Sequence, residues 1–444
     1  RLYGWVTAGY LLASTVSVPI FGKLADLQGR KRWLLVGVAI FLFGSMASGL
    51  SQTLLQLIVA RVVQGVGAGA MAPLALTVVS DLYSFKERGK VQGFFGSVWG
   101  ISAVVGPLLG GAMVKVLSWR WVFFVNLPVG IAAALLLIAA FHESANFRKG
   151  RIHWKSAAAL TAGASLLLAA GEGREALLLL PVAAVLLAIF IRLEQGAEEP
   201  ILPLDLFRDR LFAVIIALTV VLGGVSMGTV TFLPLFVQGV MGGTPTEAGA
   251  SISAMLFTWP LASVITGRLL PRIGFRLPIV TGSLLVAGAT LGLAITVQEA
   301  TTTRALHVMT GALGLGMGMS VSSSLIAVQT SVRWERRGTA TASSIFFRTM
   351  GGALAVAVFG SMLGYSLAQS FPPDVIARVL GPERAAHVEI SGPLVTALAA
   401  GIHRLFVIMA AAGAAAFGTA LLFPSTRPAE MLGAMASEPP PPAH

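Results

Sequence analysis

Apolar runs long enough to cross a bilayer recur along almost the whole of this sequence, and nothing else in it constrains the fold as much. Runs of roughly 18 to 25 residues match helices crossing a hydrocarbon slab ~30 Å thick. We read such spans at 5–21, 34–51, 55–80, 91–116, 121–141, 157–171, 176–191, 211–237, 248–266, 277–297, 305–330, 339–364 and 402–423. Only 11% of the residues are charged and the mean hydropathy is +0.83, whereas a soluble domain carries about a quarter charged residues. The expected fold class is an all-α polytopic membrane protein with about thirteen transmembrane helices in view, so the lipid bilayer is its first partner.

The net charge of +12 does not point to nucleic acid, because the cations lie in short gaps between spans and form no basic domain. Lys23, Arg30, Lys31 and Arg32 fill one gap, and alternate gaps carry Lys86, Arg88 and Lys90; Arg148, Lys149, Arg151 and Lys155; Arg192, Arg208 and Arg210; Arg268, Arg272 and Arg276; Arg333, Arg336 and Arg337. With Arg427 that is about twenty-one cations on one side against about eight on the other, which makes the first set, and the C-terminus, cytoplasmic. The absence of cysteine excludes disulfides, thiolate metal sites and cysteine nucleophiles. The tail 425–444, with its "EPPPPAH" end, reads as flexible.

The sequence repeats itself. "GKLADLQGRK" from Gly22 is echoed by "GRLLPRIGFR" from Gly267, matching Gly22 to Gly267, Lys23 to Arg268, Leu24 to Leu269, Gly29 to Gly274 and Lys31 to Arg276. "FKERGKV" at 85–91 is echoed by "WERRGTA" at 334–340. Two ordered matches imply two similar helix bundles with a substrate site between them near the midplane. We expect a first bundle over 1–141, an inserted two-helix linker over 142–210 and a second bundle over 211–424.

The residues at 22–32, Gly-x-Leu-x-Asp-x-x-Gly-Arg-Lys-Arg, resemble the cytoplasmic loop motif of the major facilitator superfamily. "RVVQGVGAG" at 61–69 is similar to that family's fourth-helix motif, and "GFFGSVWGISAVVGPLLGG" at 93–111 to its fifth-helix antiporter motif, with Ser102 where glycine is usual. The inserted pair and "FFRTMGGALAVAVFG" at 346–360 resemble the fourteen-helix drug:proton antiporter branch. The resemblance implies two pseudo-symmetric bundles with two linker helices, and export of small amphipathic or cationic compounds in exchange for protons. It also implies an upstream first helix carrying a membrane-embedded acid. An upstream span of roughly 20 residues with an Asp or Glu is accordingly expected.

Positive-inside charge alone would explain the cations of 22–33 but leaves Gly22, Asp26 and Gly29 without a role. Gly22 allows close helix approach. Asp26 is an acid at a helix end, suited to pair with Arg30 or to face the positive N-terminus of another helix. The resemblance implies the latter, with Gly338 and Thr339 as partners in a gating latch; the second copy, with Pro271 at the acid's place, should latch more weakly. Arg61 and Arg348 lie inside spans, where a lone cation costs ~2.5–3.5 kcal/mol, so each should meet a partner or water. Snorkelling is the rival reading for Arg61, and bridging of backbone carbonyls the rival for Arg348. The resemblance gives Arg61 a part in proton transfer. Gly93, Gly106, Pro107, Gly110 and Gly111 should let a neighbouring helix pack closely and kink the rod.

Gln64, Phe95, Trp99, Trp259, Phe346 and Arg348 are candidates for a substrate cavity, with ordinary packing as the alternative for each aromatic. His153, His307 and His403 have no ligand spacing to another titratable group, so no metal or other cofactor is expected. There is no ATP-binding Gly-x-x-x-x-Gly-Lys-Ser/Thr and no catalytic constellation in a span, so an enzyme is not expected. The partners expected are a small-molecule substrate and protons, in a monomer of the bacterial inner membrane. Export of a specific metabolite, and a transporter-fold sensor or fragment without proton coupling, are the alternatives.

Overall fold

The computed structural model describes all residues except 1–3, 84, 144–149, 151, 170–177, 298–301, 373–374, 377–391 and 426–444, and only part of the side chains along 84–108. The described residues form helices and connecting turns without a strand. In chain order the helices are α1 (Gly4–Gln28), α2 (Arg30–Leu50), α3 (Leu54–Leu82), α4 (Phe85–Val116), α5 (Trp121–Phe124), α6 (Asn126–Ala140), α7 (Trp154–Ala169) and α8 (Leu179–Gln195). They continue with α9 (Arg210–Gly239), α10 (Pro245–Ile273), α11 (Arg276–Thr296), α12 (Thr303–Ser331), α13 (Arg337–Ala368) and α14 (Gly392–Leu421). The expected spans fall on these helices, and among the described residues ten are long and apolar enough to cross a membrane.

Three boundaries depart from the sequence reading. The gap at 22–33 shrinks to Gly29, because α1 runs on to Gln28 and α2 starts at Arg30. Gly29 makes that sharp junction with φ 102°, which side-chain-bearing residues rarely adopt. Gly274 does the same between α10 and α11 with φ 71°, so the two repeat copies share a backbone device as well as letters. The span 121–141 is broken at Val125, where Pro128 has no N–H to give the Phe124 carbonyl and its ring crowds it. Helix α14 begins ten residues before the expected 402. Pro393 sits in its first turn, where proline is tolerated, and Leu394 and Leu398 are buried against Phe232, Phe236 and Leu363.

Helix starts are chosen by caps. Thr53 with Gln56 and Thr244 with Glu247 form reciprocal capping boxes at α3 and α10, and Asp209 accepts from Leu211 and Phe212 at α9. The packing is two-fold in pattern. Helix α3 packs on α1 and α2 as α12 packs on α10 and α11. Across the middle, α1 lies on α13 and α10 lies on α4. One core joins Phe21, Leu24 and Leu74 to Leu160 and Phe190 of the α7–α8 pair and to Ile345 and Phe346 of α13. Two others lie within 211–423, around Leu218 and Met317 and around Phe236 and Phe406.

Candidate functional site: an ion-paired junction between the two halves

Asp26 and Asp81 stand near the C-terminal ends of α1 and α3, where each opposes its own helix dipole and calls for a positive partner. Both find one across the junction. The Asp26 carboxylate sits on the N-terminus of α13: Oδ1 accepts from the Gly338 N–H at 3.0 Å, and Oδ2 accepts from the Thr339 N–H at 2.6 Å and its Oγ1 at 2.7 Å. These donors are among the four that a helix start leaves without intrahelical partners. Arg30 lies 3.4 Å from Asp26 Oδ1, donates to the Trp334 carbonyl at 2.8 Å, stacks on the Trp334 ring at 4.5 Å and pairs with Asp81. Asp81 also takes Arg337 at 3.4 Å, and Arg337 donates to the Gln329 carbonyl at 3.0 Å. Asp26, Arg30 and Arg337 are all 3% exposed or less.

This cluster holds two acids and two guanidiniums, with three members on the α1–α3 side and Arg337 on the other. Its charges balance, which is the condition for keeping them buried. Gln329 adds a neutral tie, donating to the Leu76 carbonyl at 3.3 Å.

Close approach of α1 and α13 depends on two glycines. A Cβ on Gly22 would overlap that of Ala342, and one on Gly338 would lie 2.5 Å from Asp26 Oδ1. Gly22→Val should therefore push the helices apart, at a cost of ~1–3 kcal/mol for overpacking. The expected result is faster thiol labelling of a cysteine placed at Ser343, which is fully buried one turn beyond Thr339. The natural sequence has no cysteine, so the signal comes from that position alone. Labelling no faster than in the Gly22 parent would refute this.

The segment after α8 straps the same place. Lys23 pairs with Glu199 at 2.6 Å and Arg336 with Asp205 at 2.5 Å, and Glu194, 3% exposed, accepts from the Leu202 N–H at 2.8 Å. Arg336 and Asp205 are about half exposed, so their pair contributes only ~0–1 kcal/mol; the better shielded Lys23–Glu199 pair is the stronger tie. Glu143 caps α2, accepting from the Arg30 and Lys31 N–H groups at 2.6 and 3.0 Å.

Arg61 points into the first half. Its guanidinium stacks on Tyr10 at 3.9 Å and donates to Gln64 Oε1 at 2.5 Å and the Val6 carbonyl at 3.3 Å. Gln64, 2% exposed, donates to Ser45 Oγ at 3.1 Å, which in turn donates to the Phe123 carbonyl and accepts from Asn126. Gln64 is thus part of a hydrogen-bonded network rather than a free cavity wall.

The other candidates scatter. Phe346 is 3% exposed and packed edge-to-face on Phe347 within the core. Trp259 is packed against the core of the second half, and Phe95 is partly buried. The side chains of Trp99 and Pro107, and the surroundings of Gly93, lie outside the described residues. Helix α4 does approach α10, since a Cβ on Gly96 would lie 3.3 Å from Pro260. At Gly106, Gly110 and Gly111, by contrast, the expected close helix neighbour is missing, and an added Cβ would meet nothing within 4 Å. Arg348 has no polar partner among the described residues. His153 bonds Ser156, His307 the Thr303 carbonyl and His403 the Val297 carbonyl.

The sequence reading passed over Asp81, Arg337, Glu143 and Glu199. Asp81 carried a usable signal, since an acid at the C-terminal end of a helix needs a cation from elsewhere.

Comparison with known proteins finds the same family throughout. The family model of the Major Facilitator Superfamily matches residues 1–356. The multidrug transporter protein MdtP of Bacillus subtilis is 36% identical over 370 residues, covering 81% of this chain and 68% of that protein. Multidrug resistance protein 3 of the same organism is 35% identical over 370 residues, covering 81% and 72%. Multidrug resistance protein Stp of Mycobacterium tuberculosis is 32% identical over 388 residues, covering 85% and 72%. Among solved structures, the human organic anion transporter MFSD10 superposes with a TM-score of 0.62 at 14% identity, over 92% of this chain and 83% of that one. At that identity the likeness is one of fold.

Proposed function

The chain belongs to the Major Facilitator Superfamily, an integral membrane transporter and not an enzyme, and we propose on that premise that it exports small amphipathic compounds in exchange for protons. The observation that carries the proposal is the junction of Asp26, Arg30 and Asp81 with the start of α13. Charges buried at one end of a helix interface are stable only while both sides meet, so the junction has two discrete arrangements, closed or solvated. That is the bistable element alternating access requires. With the cytoplasmic end closed, a site between the halves opens outward; when the junction parts, it opens inward. Names of the relatives support drugs as the cargo. Proton exchange rests on the antiporter-like 93–111 stretch and on Arg61, whose fixed charge would lower the pKa of an acid brought beside it.

Purified protein in liposomes, loaded with a panel of fluorescent amphipathic dyes under an imposed pH gradient, tests this. Dye movement that follows the gradient and stops when an ionophore collapses it is the expected result. A transporter-fold sensor without proton coupling is the second reading. Dye binding without gradient-dependent movement would select the sensor.

A further inference from the structure

Among the described residues, every other arginine that is not exposed has a partner: Arg30 and Arg337 share Asp81, Arg61 has Gln64 and Tyr10, and Arg120 donates to the Ser51 carbonyl. Arg348 does not. It stands eleven residues past the start of α13, roughly 16 Å along at 1.5 Å per residue. Among the described residues it makes no hydrogen bond, ion pair or ring contact, and it is partly accessible.

Its stem is held in place. A Cβ on Gly223 of α9 would lie 3.2 Å from Arg348 Cγ and would overlap the Arg348 carbonyl, so only glycine lets α9 pass here. The stem of Arg348 therefore leaves α13 against the α9 backbone at Gly223. One turn further on, Gly352 faces Met227 of α9, which is 47% exposed. A flexible apolar side chain and an unpaired cation thus stand beside each other on the α9–α13 pair.

Among the described residues no carboxylate lies beside Arg348. A cationic cargo would be repelled at that side chain, and an anionic one would supply a counter-charge. We infer that Arg348 is a specificity-determining residue that binds the anionic group of the transported molecule, so the preferred cargo is an amphipathic carboxylate or similar organic anion with its apolar body against Met227. The planar guanidinium offers a carboxylate two parallel N–H donors. This rests on the exporter reading above.

The test uses a carboxylate dye, its uncharged methyl ester and a cationic dye, each measured for gradient-driven movement and for equilibrium binding to the detergent-solubilised protein. The natural protein is expected to bind and move the carboxylate dye best. Arg348→Ala should weaken carboxylate binding at least about tenfold, the loss of a charge-assisted pair, while ester binding stays within about twofold. Arg348→Lys keeps the charge without the fork and should fall between, which also guards against an alanine variant that does not fold. Equal losses for all three dyes in Arg348→Ala, or a natural protein that moves the ester and the cation but not the carboxylate, would overturn the inference and leave the exporter reading standing. Failure of the natural protein to move any dye would remove that reading; the inference would fall with it unless the binding difference survived.

Discussion

Asp26→Asn is expected to abolish transport while leaving membrane insertion near normal. The carboxylate takes three hydrogen bonds from Gly338 and Thr339 and lies against Arg30. The amide keeps one acceptor oxygen and turns an NH2 group toward backbone donors that cannot accept. It also leaves Arg30 and Arg337 to share Asp81 alone. Removing one member of a buried ionic set costs ~3–5 kcal/mol, which converts to a shift of roughly 10² to 4 × 10³ in the open–closed balance. Asp26 ties α1 to α13 across the two halves, so the cost falls on the closed junction. Dye efflux should be lost and labelling of a cysteine at Ser343 should rise. Asp205→Asn serves as the control, because its half-exposed pair with Arg336 is worth little. Unchanged efflux in an inserted Asp26→Asn protein would remove the junction from the mechanism.

The membrane-crossing helices were legible because crossing a bilayer demands a length and a hydropathy that local sequence states directly; of the thirteen expected spans, ten among the described residues are long and apolar enough to cross. The pairing of Asp26 with the start of α13 came from the family resemblance of the 22–32 stretch; the residues alone left Arg30 and a helix N-terminus both open as partners, and Asp26 meets both. What lay beyond the sequence depends on side chains meeting over long separations. Asp81 and Arg337 are 256 residues apart, Lys23 and Glu199 are 176 apart, and no periodicity announces such a pair. Gln64 was read as a cavity residue because a polar side chain inside a span suggests function, yet its position beside Ser45 is fixed by helix packing. The open space beside Gly106 and Gly110 was equally hidden, since a run of small residues states that a helix can come close without saying where along the run it does.

Arg61→Ala is expected to eliminate gradient-driven dye movement, and its effect should differ in kind from that of Asp26→Asn. Arg61 ties three helices of one half, through the Val6 carbonyl and the Tyr10 ring on α1 and through Gln64 to Ser45 on α2. Alanine leaves the buried Gln64 oxygen without its donor, at ~1–3 kcal/mol, and removes one of the two interior cations. Gln64→Ala disturbs the same network and keeps the cation, so comparison of the two separates charge from packing. If Arg61 acts through its charge, Arg61→Ala should lose coupling to the pH gradient while Gln64→Ala retains it with reduced rate. If both lose it alike, Arg61 is a structural tie and the coupling role fails. Orientation is checked separately by labelling Arg61→Cys. Its position over Tyr10 and against Gln64 requires reaction with a water-soluble thiol reagent in at least one access state, and reaction with a lipid-soluble reagent alone would mean that the side chain leaves the bundle interior in the membrane.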